Sequence, residues 1–309
     1  MIAYIHSYRT ISRLDSFESG IISNLKKSEN GTLIHPDYKA IIPPALIRRM
    51  GNLIKMGVGA ALCVKGEEKI EGIIVGTGLG CIENTDIFLR EFIERTTGTL
   101  SPTAFIQSTH NTVAGQIALI LKEHGYNSTY TQRGLSFENA LIDAMLLSTE
   151  TNGAVLVGGL DEHISLFEEL TKKANLNLKN IGAGSSFFLI NQEQKNAKAI
   201  ISAVANFSCN TASVDGYLNQ FLNREKLEMP DLILYGNSFP DNAQIPTIDS
   251  VINIENYAAF CGSYMTNSAF GMQFAAEILS GDSSYDAKKI LVLNNFQNKD
   301  FGFIYLEKP

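Results

Sequence analysis

Gly125-Tyr-Asn-Ser-Thr-Tyr-Thr-Gln-Arg-Gly134-Leu-Ser136-Phe-Glu138-Asn-Ala-Leu-Ile-Asp-Ala-Met-Leu-Leu147 is the stretch on which the reading of this chain turns. Its Tyr- and Thr-rich first part, Tyr126–Gln132, has the composition of a strand. From Ser136 onward apolar residues recur at helical spacing, so a helix follows almost at once. Ser136 and Glu138 fall in its first turn, where a serine usually caps and an acid complements the helix dipole. Residue 134 therefore sits between a strand and a helix start. It is a glycine and carries no side chain.

Working outward, strand and helix patterns alternate along the whole chain. Ile2–His6 reads as a short opening strand, and a helix over 44–64 begins at Pro44 with Leu46, Ile47, Met50, Leu53 and Ile54 at helical spacing. Glu71-Gly-Ile-Ile-Val-Gly76 is a buried-strand pattern that leaves through Gly76-Thr-Gly78-Leu-Gly80. A glycine turn after a strand can cradle phosphate, but the dinucleotide fingerprint is absent because the third glycine falls too early, and a structural turn is the expectation. A helix over Asp86–Thr96, an extended connector over 100–108 and a small-residue helix over Asn111–His124 follow. Gly153-Ala-Val-Leu-Val-Gly158-Gly159 and Gly182-Ala-Gly184-Ser-Ser-Phe-Phe-Leu-Ile190 read as buried strands, with a polar turn over Asn191–Lys198. The rest repeats the theme: a strand over Ala199–Phe207, a helix around Val214–Glu225, a strand over Leu232–Gly236, a packed helix over Ser268–Ser280 and a closing hairpin of Lys289–Leu293 with Phe303–Leu306. This alternation in both parts predicts a layered α/β protein, divided as 1–198 and 199–309 within one compact unit.

Composition narrows the function. With 309 residues, 45% hydrophobic and 18% charged, the chain can bury a large core. The net charge of −7 leaves no basic surplus for neutralising phosphates, so no nucleic-acid partner is expected. No apolar run approaches about 20 residues and the amino terminus lacks a signal-peptide pattern, so a cytoplasmic, soluble protein with no membrane partner is expected. The four cysteines, Cys63, Cys81, Cys209 and Cys261, form no C-x-x-C pair, and the five histidines show no metal-ligand spacing, so neither a disulfide framework nor a metal or other cofactor is expected.

Taken in order, these motifs resemble the β-ketoacyl synthases of the thiolase-like superfamily from about Ile47 to Leu306. Gly72-Ile-Ile-Val-Gly76-Thr-Gly78-Leu-Gly80 is similar to the family's first strand and glycine turn. Ser101-Pro-Thr-Ala-Phe-Ile-Gln-Ser-Thr-His-Asn111-Thr-Val-Ala-Gly115 is similar to its proline-entered segment and Asn-x-x-Ala-Gly helix. Val157-Gly158-Gly159-Leu-Asp161-Glu162 resembles its Gly-Gly-x-Glu segment, and Gly182-Ala-Gly184-Ser its glycine entry to the next strand. The resemblance implies a five-layered αβαβα fold of two similar halves, dimerised across the strand beside an active cysteine. It also implies chemistry by that cysteine, held as thiolate at a helix N-terminus, with two histidines assisting decarboxylation of a malonyl-carrier extender.

Carried over position by position, the resemblance places Gly134 at the cysteine, Tyr235 at the first histidine and Ser263 at the second. The family's lysine has no counterpart in Tyr257-Ala-Ala-Phe260, and its glycine-rich gating loop falls on Asn295-Phe-Gln-Asn-Lys-Asp300, where the glycines are gone. Ser136 and Cys261 are the candidates for a substitute nucleophile, and His110 is the only histidine in a segment that the resemblance places near the family's site. Each has an ordinary alternative: Ser136 opens a helix, a buried thiol such as Cys261 is usually inert, and His110 suits a polar helix entry.

Three coordinated losses on a coherent scaffold imply a chain-length-factor subunit. Such a subunit pairs with a catalytic ketosynthase and an acyl carrier protein in type II fatty-acid or polyketide biosynthesis, of the aryl-polyene or flexirubin kind. Two other readings stay open: a divergent acyltransferase or condensing enzyme using Cys261 or Ser136, and an acyl-carrier or acyl-CoA binding homodimer.

Overall fold

A computed structural model describes the chain apart from residues 26–30, 95–101, 167–168, 170–172, 174–179, 209–212, 238–244, 248–251 and 282–284. Five strands make up the first part: β1 (Ala3–Ile11), β2 (Ile70–Gly76), β3 (Tyr126–Tyr130), β4 (Ala154–Asp161) and β5 (Gly184–Asn191). Five more make up the second: β6 (Ala199–Ser208), β7 (Leu232–Asn237), β8 (Asn253–Asn256), β9 (Lys289–Phe296) and β10 (Asp300–Glu307). The helices are α1 (Tyr38–Ile41), α2 (Pro44–Ile47), α3 (Asn52–Lys65), α4 (Ile82–Glu94), α5 (Pro102–Gln107), α6 (Thr112–Leu121), α7 (Ser136–Thr151), α8 (Val214–Glu225), α9 (Ala258–Cys261) and α10 (Ser268–Ser280).

The strands run in the order β3-β2-β4-β5-β1-β6-β10-β9-β7-β8, and that order contains a repeat. In the first part β2 pairs parallel with β3 and β4, β4 antiparallel with β5, and β5 antiparallel with β1. In the second, β7 pairs parallel with β8 and β9, β9 antiparallel with β10, and β10 antiparallel with β6. The sense and order are the same in both. They join through a short antiparallel contact in which Ala3, Tyr4 and Ile5 meet Ile201, Ile200 and Ala199.

Strand alternation then dictates the layers, because successive side chains point to opposite faces. Ile73, Val75, Leu156 and Leu189 face out of the first sheet into a core shared with α3 and α6. Ile74, Val155, Val157 and Ile190 face inward and meet α7 and α10. Leu232, Leu234, Ile290 and Val292 reach that same central core from the second sheet. Ile233, Leu291, Leu293 and Phe303 face out against Val214, Leu218 and Phe221 of α8. The result is five layers, helix, sheet, helix, sheet, helix, with α7 and α10 in the middle. Every residue of α10 except its last is buried.

Several local expectations change. The helix expected over 44–64 is two, α2 and α3, because Gly51 adopts an extended backbone (ψ 170°) as the N-cap of α3. Its Cβ position lies only 2.6 Å from Asn84 Nδ2, so glycine there permits a close approach. The connector expected over 100–108 contains α5, opened by Pro102; a proline at the first helical position loses no hydrogen bond. The helix expected from Asp86 begins at Ile82, and the opening strand runs on to Ile11. The expected end at Thr96, and Cys209, lie outside the described residues. Cys63, Cys81 and Cys261 carry free thiols.

Candidate functional site

β3 ends at Tyr130 and α7 begins at Ser136, with a 3-10 turn over Arg133–Leu135 between them. Arg133 is exposed and takes a left-handed backbone (φ 52°), unusual for a side chain of its size, so the chain turns sharply here. Gly134 follows, buried. A Cβ built on it would lie 2.4 Å from the Phe296 ring, from the end of β9. The volume that a nucleophile's side chain would need is filled by an aromatic ring. This is the position to which the resemblance assigns the cysteine.

Directly beneath the turn sits an acid whose first-turn position predicts a helix-dipole partner at the surface. Glu138 is fully buried instead. Asn294 of β9 donates its Nδ2 both to the Gly134 carbonyl (2.6 Å) and to Glu138 Oε1 (2.8 Å), tying turn, helix and strand together. The backbone of Gly302 also comes close, such that a Cβ there would stand 2.6 Å from Glu138 Oε1. Burial pushes the Glu138 carboxyl up to about 7; Ser268 and Asn294 oppose the shift, although Ser268 faces it without completing a well-formed hydrogen bond.

Tyr235 lies half-buried near the end of β7, where burial raises its phenol pKa against a hydrogen bond from Asn256. Its strand pairs with β9 so that Gly236 stands opposite Asn294, the residue that holds Gly134. The Gly134 and Tyr235 segments thus meet on β9. Ser263 is fixed by its backbone: its N–H donates to the Asn180 carbonyl (2.8 Å) and its carbonyl accepts from Gly182 (2.9 Å). With Asp161, His163 and Tyr264 it lines a recess of only about 20 Å³.

The substitute nucleophiles fare no better. Cys261 is fully buried, burial pushes its thiol well above the usual range, and its Sγ points at the carbonyls of Tyr257 and Gly262. Ser136 is buried and donates its hydroxyl to the Arg133 carbonyl at 2.7 Å, so it closes the turn from within instead of capping the helix amides. His110 is exposed before α6 and packs beside Gly80. Among the described contacts, neither Cys261 nor Ser136 is hydrogen-bonded to a histidine or a carboxylate.

The glycine turn after β2 is a structural device. Gly78 and Leu79 donate their backbone N–H groups to Asp161 Oδ1 at 2.8 and 3.2 Å, as does the Thr77 hydroxyl at 3.1 Å. The Thr266 N–H and hydroxyl donate to Oδ2 at 2.9 and 2.8 Å. The turn's anion is the chain's own buried carboxylate, and it joins the first part to the loop that opens α10. Among the described residues no group of side chains could hold a metal ion.

The helices that follow this turn carry an apolar surface. Leu89, Phe92 and Ile93 of α4 and Phe105 and Ile106 of α5 are all exposed. Phe88 joins the two helices, with ring centroids 5.3 Å from Phe105 and 6.4 Å from Phe92. Among the described residues β3 is an edge of the sheet, paired with β2 alone. No helix among the described residues is long and apolar enough to cross a membrane.

A thiolase-like scaffold with a turn-and-helix corner between its halves is the architecture of a ketosynthase, and comparison with known sequences agrees. The family described as "Beta-ketoacyl synthase, N-terminal domain" matches residues 26–211, and the chain belongs to it. No curated protein matches in sequence. Among solved structures, the ishigamide ketosynthase/chain length factor is similar over 100% of this chain and 99% of that one, with a TM-score of 0.78 at 15% identity. The structure titled "AntDE:AntF (apo): type II PKS acyl-carrier protein in complex with its ketosynthase bound to the hexaketide" matches with a TM-score of 0.76, 12% identity, and 100% and 99% coverage. The ketosynthase ApeO in complex with its chain length factor ApeC, from Xenorhabdus doucetiae, gives 0.60 at 14% identity, covering 99% of each chain.

Of the residues that shape the corner and the glycine turn, Phe296 and Asp161 fall in segments that the resemblance picks out, whereas Glu138 reads only as a helix-start acid and Asn294 is not singled out. A signal exists for the latter two. Glu138 shares the helical face of Leu141 and Met145, and Asn294 interrupts the apolar run of β9.

Proposed function

We propose that this chain is the non-catalytic, chain-length-factor-like subunit of a ketosynthase pair. It associates with a catalytically complete ketosynthase and, through it, with an acyl carrier protein, in type II fatty-acid or polyketide biosynthesis of the aryl-polyene or flexirubin kind in the cytoplasm. The observation that carries this is the Phe296 ring standing where a side chain at position 134 would begin. A nucleophile is not merely missing; the chain has closed over its place. Tyr235 and Ser263, at the positions of the two histidines, are the matching losses, and Gly134, Tyr235 and Ser263 mark the degenerate site.

The exposed α4–α5 face and the β3 edge support a partner. Apolar clusters of this kind on a folded surface mark interaction sites, and an edge strand offers unpaired backbone groups. In the reading proposed here, the ketosynthase covers that face and the two chains together wall the space for the growing acyl chain.

Co-expression with a ketosynthase carrying an intact cysteine and both histidines, followed by affinity purification through this chain, is the test. A stoichiometric complex is expected, and incubating this chain alone with acyl-carrier thioesters should leave its intact mass unchanged. An acyl adduct on Cys261 or Ser136 would return the independent acyltransferase reading. A stable homodimer that binds acyl carrier but ignores every ketosynthase would return the carrier-binding one.

A further inference from the structure

The Gly134 corner holds four buried polar atoms without hydrogen-bond partners: Glu138 Oε2, Asn294 Oδ1, Ser268 Oγ and the Tyr257 hydroxyl. They come from α7, β9, the first residue of α10 and the turn before α9. Asn294 Nδ2 links Glu138 Oε1 to the Gly134 carbonyl. The Tyr257 ring fills the space in front of Gly236 and Gly271, and Gly236 is the strand partner of Asn294. Glu138 is in the first turn of α7 and Ser268 opens α10, so the carboxyl lies where two helix N-termini favour negative charge. Burial outweighs those dipoles at the carboxyl and raises its pKa, and the chain places this acid beside residue 134 through Asn294.

We propose that Glu138 is a built-in anion that silences this corner: with the Phe296 ring, it denies position 134 a reactive thiolate even when a cysteine is put back. The proposal rests on the non-catalytic reading of the chain. Two mechanisms act in sequence. Phe296 blocks entry, since any Cβ at 134 meets its ring. The carboxylate then stands one amide group away from the residue 134 backbone, and a like charge at that range disfavours a second anion. Glu138 titrates near 7, so it is ionised over the range in which a cysteine would lose its proton. Tyr257 is the titratable neighbour, and burial keeps its phenol neutral there; Ser268 and Asn294 carry no charge.

The test uses the full chain as G134C, G134C/F296A and G134C/F296A/E138Q. Alkylation of the introduced thiol by iodoacetamide is followed against pH by peptide mass mapping, with circular dichroism confirming the fold. G134C is expected to react at least ~10-fold more slowly than an exposed cysteine. The double variant should react with a midpoint at or above the ordinary value of about 8.5. In the triple variant the midpoint should fall by about one pH unit or more. Equal midpoints in the double and triple variants overturn the role of Glu138, and fast alkylation of G134C overturns that of Phe296. Should the cysteine variants fail to fold, infrared difference spectra of the unsubstituted chain against E138Q decide. A protonated-carboxyl band that titrates near 7 and is lost in E138Q is expected, and its absence between about pH 5 and 9 overturns the proposal. Association with a ketosynthase is a separate measurement, so either idea can fail alone.

Discussion

The Gly134 corner and the α4–α5 face both follow the exits of the parallel strands β2 and β3, yet they are built on opposite principles. At the corner the groups are turned inward: glycine at 134, a phenyl ring in the space its side chain would need, an acid buried beneath it. On the face, Leu89, Phe92, Ile93, Phe105 and Ile106 stand in solvent although the core could have used them. A chain that places apolar residues outside and closes its inside fits the proposed role of a subunit that works through a partner. If that contrast is right, breaking the face should abolish function and breaking the corner should change only stability.

The effect on association is therefore expected on the face. Ile93→Glu with Phe105→Glu should weaken association with the proposed ketosynthase partner at least ~100-fold, measured by co-purification and titration calorimetry, because a few apolar anchors dominate such interfaces. Thermal unfolding of the isolated variant should stay within ~0.5 kcal/mol of the parent, as for other surface substitutions. Met229→Glu is the control: it is also exposed, but follows α8 on the other outer layer, and should leave binding intact. Equal losses from both would erase the contrast between the regions.

Next comes the carboxylate that joins the two parts. Asp161→Ala leaves the Thr77 hydroxyl, the Gly78 and Leu79 amides and both Thr266 donors without an acceptor. A loss of about 3–5 kcal/mol in denaturant unfolding is expected, since breaking a buried charged network costs more than a neutral hydrogen bond. A loss below about 1 kcal/mol would show that the turn does not depend on its internal anion.

Glu138 gives the corner a pH signature of known sign. Its carboxyl titrates at about 7 in the folded chain against 4.5 when solvated, so between those values the folded state holds the extra proton. Stability from this group is full below 4.5, falls as pH rises toward 7 and is level above it. The drop is about 3 kcal/mol, and Glu138→Gln should remove that share of the slope in urea unfolding measured from pH 5 to 8. Asp161, Glu162 and Glu277 are also raised by burial, so a residual slope of the same sign remains in the variant.

Much of the fold is legible in the sequence because its signals are periodic. The apolar runs of β2, β4 and β5, the α7 pattern after Gly134 and the packed α10 helix all follow from spacing alone, and the order of motifs points to the family. Local breaks are less legible: Gly51 splits a helix whose apolar spacing runs straight through it, and Pro102 starts a helix within a segment whose pattern suggests extended chain. The site is legible as an absence. That position 134 lacks a side chain is written in the sequence, but that Phe296 fills its place depends on a contact between the end of β9 and the start of α7, far apart along the chain. Glu138 looks like a helix-dipole partner because its first-turn position is visible in sequence and its burial under β9 and β10 is not.

The smallest effect probes that contact directly. Gly134→Ala adds one carbon at 2.4 Å from the Phe296 ring, so the ring or the turn must shift, and a cost of about 1–3 kcal/mol is expected from overpacking. Gly134 does not have a positive φ, so nothing in its own backbone forbids a side chain. The cost should therefore belong to the pair. In a Phe296→Ala background, itself destabilised by about 3–5 kcal/mol, the added methyl enters the vacated space. There Gly134→Ala should be neutral, or stabilising by about 0.4–1 kcal/mol through the stiffer unfolded chain. A double-mutant cycle by urea unfolding measures the difference, which should reach ~1 kcal/mol or more for residues in contact. An equal cost in both backgrounds would mean that the turn rejects any side chain for reasons of its own. Phe296 would then be a neighbour of position 134 and not the occupant of its side-chain space.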